Sequence, residues 1–294
     1  MLKHTIIIAF MFFVSCNSEK ANPINNSSLA YSQAKKSSKE TYSELIKILK
    51  SKKPIGIIAE VNHSENAQKA NIDLDYTRVV LFGNPKLGTP IMQKNLQAGL
   101  DLPQKMLVFS RSQQATVVYN STDYIVKRHG VSGVESLSKM SKALEAIATK
   151  ITGKKPQLRS GQIKINEGII TKHSKNNVDT TYNKIKTIIE NNPALGVMAE
   201  LDHQANAARV NLQLPPCRLI VFGNPKLGTP LMLEGQTIAI DLPQKMLVYE
   251  NKEGKVVIAY NSPSYLALRH GIVNNDIIKK ITKALDTISN KACE

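Results

Sequence analysis

The chain has 294 residues, of which 42% are hydrophobic and 21% are charged, a composition that is typical of globular proteins and excludes a wholly disordered one. Lys and Arg outnumber Asp and Glu by 39 to 23, and the formal charge of +16 suits an anionic partner, although the dispersed lysines favour a plain solvated surface. Aromatic residues make up 5% and Trp is absent, which disfavours stacking on bases or sugars, so no nucleic-acid partner is expected.

The first residues have the pattern of a secretion signal. Lys3 and His4 precede a largely apolar run at residues 5–14, which is too short to cross a bilayer because a spanning helix takes about 20 residues. Small or apolar residues directly before Cys16 resemble a bacterial lipobox. We therefore predict a lipoprotein signal peptide at 1–15, a palmitate-type lipid anchor on Cys16 and a polar tether at 16–28. The alternative is an ordinary cleaved signal with an incidental cysteine.

The remainder of the chain repeats itself. FGNPKLGTP occurs at 82–90 and 222–230, and DLPQKMLV occurs at 101–108 and 241–248, both at an offset of 140. The repeat predicts two copies of one module in one chain, an intramolecular pseudo-dimer. The predicted bounds are a first module at 28–151, a polar linker at 152–167 and a second module at 168–291.

Each copy begins with a predicted strand and an amphipathic helix. In the first copy these lie at 29–33 and 40–50, and Ser37 with Glu40 has the spacing of a capping box. The equivalent predictions in the second copy are a strand at 168–173, a cap at Asp179 and a helix at 180–191. An apolar strand and a short helix capped by Asn62 or Asp202 follow, the strands being 55–61 and 195–201.

Turn and breaker residues punctuate the second half of each copy. After a strand at 78–82, the segment GNPKLG is predicted to form a turn, and Thr89-Pro90 to open another short helix. A long strand at 99–109 is interrupted by Pro103, which indicates a bulge or an edge position. The corresponding predictions in the second copy are 218–222, Thr229-Pro230, 238–249 and Pro243.

A hairpin strand and helices close each copy. The first copy has a strand at 116–119 and a final helix at 133–151. The second copy has a strand at 256–260, a helix from Ser262-Pro263 to Gly271 and a final helix at 276–289. This order predicts an α+β fold, in which each module is a mostly antiparallel sheet with helices packed on it.

The two shared runs and the Tyr-Asn-Ser…Arg-His-Gly segment resemble the bacterial and archaeal DUF302 family. The resemblance covers both modules nearly end to end. It implies a TT1751-like fold, similar to that of the TATA-binding protein, and implies no activity because the family is named for its unknown function. Where family members are single modules, two modules here would form a built-in pseudo-dimer.

The candidate site residues are polar positions that recur in both copies. Histidines at the starts and ends of short helices and carboxylates at strand ends could together bind a small ligand or a divalent metal, or transfer protons. This requires Glu60, His63 and Asp101 to converge. The alternatives are structural, because histidines in a last turn commonly bond free carbonyls and a buried Glu needs only a cationic neighbour. The full set is Glu60, His63, Asp101, His129, Glu200, His203, Asp241 and His270.

Other signals are weaker. The GNPKLGTP segment offers backbone N–H groups and Lys86, but its glycine spacing differs from a Walker A loop and a structural turn is favoured. Cys217 and Cys293 have no cysteine at the equivalent repeat positions, so their pairing stays open. No cofactor is indicated.

These observations predict an envelope lipoprotein of unknown activity that binds a small ligand or protein partner through its paired modules. Its body would lie outside the cytoplasm, held to a membrane by the lipid on Cys16. The alternatives are an enzyme that uses the matched His, Glu and Asp groups for metal-dependent or acid–base chemistry and, less favoured, a nucleic-acid-binding protein. If only one site functions, turn and cap signals favour the second copy.

Overall fold

The computed structural model describes residues 28–111, 114–273 and 275–294, apart from the Arg111 side chain. The predicted signal peptide, Cys16 and nearly all of the predicted tether lie outside the described residues. Within them, no helix is both long and apolar enough to cross a membrane.

The first module contains six strands, six helices and the connections between them in the described residues. The elements are β1 (Leu29–Gln33), α1 (Ser38–Ser51), β2 (Gly56–Asn62), α2 (His63–Lys69), β3 (Thr77–Gly83), α3 (Pro85–Lys94), a 3-10 helix (Leu96–Leu100), β4 (Gln104–Arg111), β5 (Gln114–Asn120), α4 (Thr122–His129), α5 (Ser136–Thr152) and β6 (Gln157–Arg159). The strands pair antiparallel in the order β2-β3-β4-β5-β1-β6.

The second module repeats this arrangement without a counterpart of β6 in the described residues. The elements are β7 (Ile169–Ser174), α6 (Val178–Glu190), β8 (Gly196–Asp202), α7 (His203–Ala208), β9 (Cys217–Gly223), α8 (Pro225–Glu234), a 3-10 helix (Gln236–Ile240), β10 (Gln244–Glu250), β11 (Val256–Asn261), α9 (Pro263–Arg269) and α10 (Asp276–Cys293). The sheet order is β8-β9-β10-β11-β7, again antiparallel. The chain is therefore an α+β protein of two repeated modules.

Both faces of each sheet are covered. In the first module α1 and α5 pack on one face, and the second module's 3-10 helix packs on the other against β3, β4 and β5. Every residue from Gln104 to Phe109 is consequently buried, a continuous pattern that marks a strand with no solvent face. The second module receives the first module's 3-10 helix in the same way.

Helix starts follow the local sequence closely. The capping box at Ser37 and Glu40 is present as predicted. In the second copy the cap is Asn177, not Asp179, because α6 begins at Val178 and the Asn177 side chain accepts a hydrogen bond from the Thr180 N–H at 2.8 Å.

Three predictions around the shared runs are wrong. The predicted turn at GNPKLG is the first part of α3, because Asn84 caps the helix through the Lys86 N–H and Pro85 occupies its first position. Pro90 lies inside this helix and does not open another one. The strand predicted from residue 99 begins only at Gln104, since the preceding residues form the 3-10 helix and a cis Leu102–Pro103 peptide.

Part of the predicted linker is structured. Residues 157–159 form β6, which pairs with β1 at the edge of the first sheet. All three side chains are exposed, so the segment carries no burial pattern from which a strand could have been predicted. Cys217 and Cys293 are both free thiols, and Cys217 is buried.

Candidate functional site

A buried carboxylate, guanidinium and imidazole meet in the first module. Asp101 ends the 3-10 helix, and Arg128 and His129 are the last residues of α4. The Arg128 Nη1 donates to Asp101 Oδ2 at 2.8 Å, and His129 Nε2 lies 2.8 Å from the same oxygen. All three side chains are fully buried. Burial alone would raise the pKa of Asp101, but Arg128, His129 and Lys105 together hold it below its usual value.

The second module contains the same triad. Asp241 Oδ2 accepts from Arg269 Nη1 and lies 2.9 Å from His270 Nε2. The two Asp–Arg–His triads are also joined across the module boundary. Arg128 Nη2 donates to Asn261 Oδ1 at 2.8 Å, and Arg269 Nη2 donates to Asn120 Oδ1 at 2.7 Å.

Two lysines from the shared DLPQKMLV run lie between the triads. Lys105 Nζ donates to Asp241 Oδ1 at 3.0 Å, so it bridges the modules. Lys245 is also buried, and in the described part of the chain its Nζ has no hydrogen-bond partner. Burial and the neighbouring charge of Lys105 hold the pKa of Lys245 well below its usual value. Asp101 Oδ1 likewise has no partner among the described residues.

Glu60, His63 and Asp101, whose convergence a metal or acid–base site would require, do not come together. Glu60 accepts from the Tyr42 hydroxyl at 3.1 Å on the helical face of the sheet, whereas Asp101 pairs with His129. In the second copy Glu200 accepts from the Tyr182 hydroxyl and from Lys186 Nζ, both at 2.8 Å. Within the described residues, no cluster of three or more His, Cys, Asp or Glu side chains is arranged to hold a metal ion.

His129 and His270, at the ends of α4 and α9, bond carboxylates and not the free backbone carbonyls that are common partners at a helix end. For His270 burial is the largest influence and lowers the pKa, the opposite of the cationic form that its helix position favours. Its Nδ1 also lies 3.0 Å from the Thr237 hydroxyl.

His63 and His203 cross the module boundary in opposite directions. Each is the first residue of a short helix, and each is buried against the other module. His203 Nε2 lies 3.3 Å from the Gly99 carbonyl oxygen, and the His63 ring lies beside the backbone of Ala239 and Leu242. Burial lowers the pKa of both histidines to about 4, so both are neutral at pH 7.

The same histidines reach a pair of equivalent cavities. Each cavity is bounded by the FGNPKLGTP corner and the final helix of one module, and by the histidine helix of the other. We call the cavity at Phe82–Thr89, which His203 contacts, the first cavity, and its counterpart at Phe222–Thr229, which His63 contacts, the second cavity.

The cavities share their lining motif and differ in size. The first has a volume of about 670 Å³ and the second about 70 Å³. The linings differ at several equivalent positions, one of which is Ile58 in the first cavity and Met198 in the second. A methionine side chain is longer and more flexible than that of isoleucine and adapts to irregular gaps.

Two buried polar side chains in the lining of the first cavity, Thr89 and Gln104, lack strong hydrogen-bond partners. Thr89 is fully buried, and its hydroxyl oxygen has no partner among the described residues. Gln104 Nε2 lies 3.1 Å from the Met140 sulfur, a weak acceptor. An apolar cavity of this volume with a few inward polar groups is the usual form of a small-molecule site.

Several residues at these sites were missed from the sequence. Each of them lies in a sequence run that occurs in both copies, and this repetition was the signal that could have identified them. They are Thr89, Lys105, Asn120, Arg128, Lys245, Asn261 and Arg269.

The model of the family described as "Domain of unknown function DUF302" matches residues 30–147 and 170–288, most of the chain. The chain belongs to the DUF302 family. The match falls on both modules, so the tandem organisation is confirmed together with the family.

Three curated relatives are 35% identical to this chain over 130 residues, which is 44% of its length. They are "Fluoride-specific ion channel FluC 1" of Brucella suis biovar 1 and of Brucella abortus biovar 1, and "Fluoride-specific ion channel FluC 2" of Brucella melitensis biotype 1. The match covers 51%, 48% and 48% of them, so the chain spans about half the length of these relatives.

This chain is similar to one solved structure, that of an uncharacterized conserved DUF302 protein from Bacillus stearothermophilus. It is 18% identical, with a TM-score of 0.38, and the match covers 44% of this chain and 99% of that one.

Proposed function

We propose that the protein is a non-catalytic binding protein that holds one small apolar ligand in the first cavity. The observation that carries the proposal is the contrast of about 670 Å³ with about 70 Å³ between two cavities built on the same motif. The open cavity lies in the first module, which opposes the expectation that the second copy would hold the functional site. We also propose a lipid anchor on Cys16, which would keep the ligand site at a membrane of the cell envelope.

The enzyme alternative depends on the matched His, Glu and Asp groups. Glu200 and His203 line the first cavity and His63 lines the second, but Glu200 is already engaged by Tyr182 and Lys186, and the His203 ring lies against the Gly99 carbonyl oxygen. The two Asp–His pairs are fully buried and line neither cavity, so a substrate in the cavities would not touch them. Each pair is bonded to an arginine of its own module, and that arginine donates to an asparagine of the other module. Ligand binding therefore has the better support. Fluoride transport is not proposed, because the match covers about half of the relatives that carry that name.

Titration with the neutral fluorescent probe N-phenyl-1-naphthylamine tests the proposal. The wild type should bind one equivalent with increased emission. Ile58→Trp should abolish the increase because the indole fills the first cavity, whereas Met198→Trp, at the equivalent position of the second cavity, should leave it unchanged. Circular dichroism would verify that both variants fold. An absence of saturable binding, or equal binding by Ile58→Trp, would rule the proposal out.

The anchor has a separate test. In a bacterial host that processes lipoproteins, the wild-type chain should incorporate radiolabelled palmitate and enter the membrane fraction, and Cys16→Ser should do neither. Labelling of the Cys16→Ser chain would contradict the assignment.

A further inference from the structure

We propose that the ligand of the first cavity is a single-chain alkyl carboxylate, with its chain in the cavity and its carboxylate between Lys52 and Arg209. This inference rests on the proposed function and adds the chemical class of the ligand. The charge at the mouth of the first cavity and the lack of charged lining residues at the second cavity support it.

The interior suits an alkyl chain. Aliphatic side chains from three elements line it, namely Ile57 of β2, Leu87 of α3 and Leu144 and Ile147 of α5, together with Leu102 of the connection before β4. Burying a methylene group against such a surface is worth about 0.8 kcal/mol. The interior therefore recognises length and apolar character but supplies no charge for a head group.

The mouth is cationic. Lys52 and Arg209 line the same cavity and are exposed, so the cavity reaches solvent where they lie. Arg209 Nη1 donates to Asn206 Oδ1 at 3.1 Å, and among the described residues neither cation pairs with a carboxylate. Guanidinium and ammonium groups form charge-assisted hydrogen bonds with carboxylates, which are stronger than neutral ones.

Glu200 is the acidic residue in the lining, and it is already engaged. Lys186 and Tyr182 each donate to it at 2.8 Å. The hydrogen bond from Lys186 lowers the pKa of Glu200, so its charge is present and balanced at pH 7. The net charge available to a ligand at the mouth is therefore positive.

The second cavity keeps an aliphatic lining but lacks the charged residues of the first. Asn192 occupies the position equivalent to Lys52. Lys69, the counterpart of Arg209, pairs with Glu65 at 2.8 Å, whereas the counterpart of Glu65 is Ala205. No Lys, Arg, Asp or Glu is among the residues that line this cavity. Space and free positive charge thus occur together in one copy and are missing together from the other.

Displacement of N-phenyl-1-naphthylamine by decanoate and by 1-decanol tests the inference. The two competitors have the same chain length and differ in head-group charge. Decanoate should displace the probe from the wild type at about tenfold lower concentration at low salt, and added salt should reduce that ratio. Lys52→Gln/Arg209→Gln should bring the two competitors to similar potency, and the control Lys69→Gln should retain the preference.

The outcomes separate the two proposals. If the probe does not bind, the proposed function fails and the ligand class fails with it. If the probe binds and both competitors displace it equally from the wild type, the ligand is not selected by its charge and the inference is overturned. A preference for decanoate that survives in Lys52→Gln/Arg209→Gln would overturn the assignment of the two cations.

Discussion

At the scale of single residues, a few charged side chains lie where water is excluded. Asp101 and Arg128 are both fully buried, and each is the other's compensating charge. Removing one member of a buried pair leaves an uncompensated charge, which is far more costly than the loss of an exposed pair.

Asp101→Asn should therefore lower the free energy of unfolding by about 3–5 kcal/mol, because Arg128 stays buried without its carboxylate. Urea denaturation followed by circular dichroism would measure the change. Glu65→Gln is the control, since its pair with Lys69 is largely exposed and should contribute little to stability. A loss below about 1 kcal/mol for Asp101→Asn would show that Arg128 finds other compensation.

His63 and His203 should make stability depend on pH. Their ordinary pKa is 6.5 and the folded value is about 4, so between these pH values the unfolded chain binds more protons. The free energy of unfolding then rises with pH: the contribution is complete above pH 6.5 and is lost as the pH falls toward 4. By the free energy of a pKa shift, it amounts to about 3 kcal/mol per histidine.

Urea denaturation at several pH values between 4.5 and 7.5 would measure this slope. His63→Gln/His203→Gln should show a shallower slope than the wild type. The exposed His173→Gln serves as a control and should follow the wild type. If the free energy of unfolding depended on pH equally in the double variant and the wild type, the lowered pKa values of His63 and His203 would be contradicted.

At the scale of elements, local sequence signals predict where helices begin, whereas long-range packing decides the other features of helices and strands. Ser37 and Glu40 predict the start of α1 because the two partners of a capping box are three positions apart in the sequence and do not depend on tertiary contacts. The helix α3 was missed because its Pro90 reads as a new start, yet a proline inside a helix is tolerated here. The strand β6 has only exposed side chains and so leaves no pattern.

The candidate site was partly predictable for the same reason. The repetition identified His63, Asp101 and His129 as candidate site residues, but it could not predict which side chains they would bond. Glu60 and Asp101 lie on different sides of the sheet, one with Tyr42 and one with Arg128. The hydrogen bonds of Arg128 and Arg269 to the opposite module join residues more than a hundred positions apart, which no local pattern reports.

At the scale of the whole molecule, the modules share one interior. A single cluster of buried apolar side chains contains Val79, Leu81 and Leu107 of the first module together with Leu219 and Leu247 of the second. The second module cannot be separated without exposing this surface and the buried charges beside it. The two modules are thus one unit of stability.

The full chain should therefore unfold in one cooperative transition, although it contains two copies of a module. Scanning calorimetry would give equal calorimetric and van't Hoff enthalpies. Asn120→Ala/Asn261→Ala removes two side-chain acceptors that the arginines use in the opposite module and should lower the midpoint while leaving one transition. Two resolved transitions in the wild type would contradict a shared interior.

The reciprocal bonds, Arg128 to Asn261 and Arg269 to Asn120, have the form of contacts in a symmetric dimer of identical subunits. In such a dimer, any substitution that enlarges or closes one cavity must do the same to the other. A chain that contains both copies lifts that constraint, because each copy can change by itself. The covalent connection also keeps the partner module at a high effective concentration. Ile58 and Met198 can then differ, and one copy can keep an open cavity while the other copy is packed.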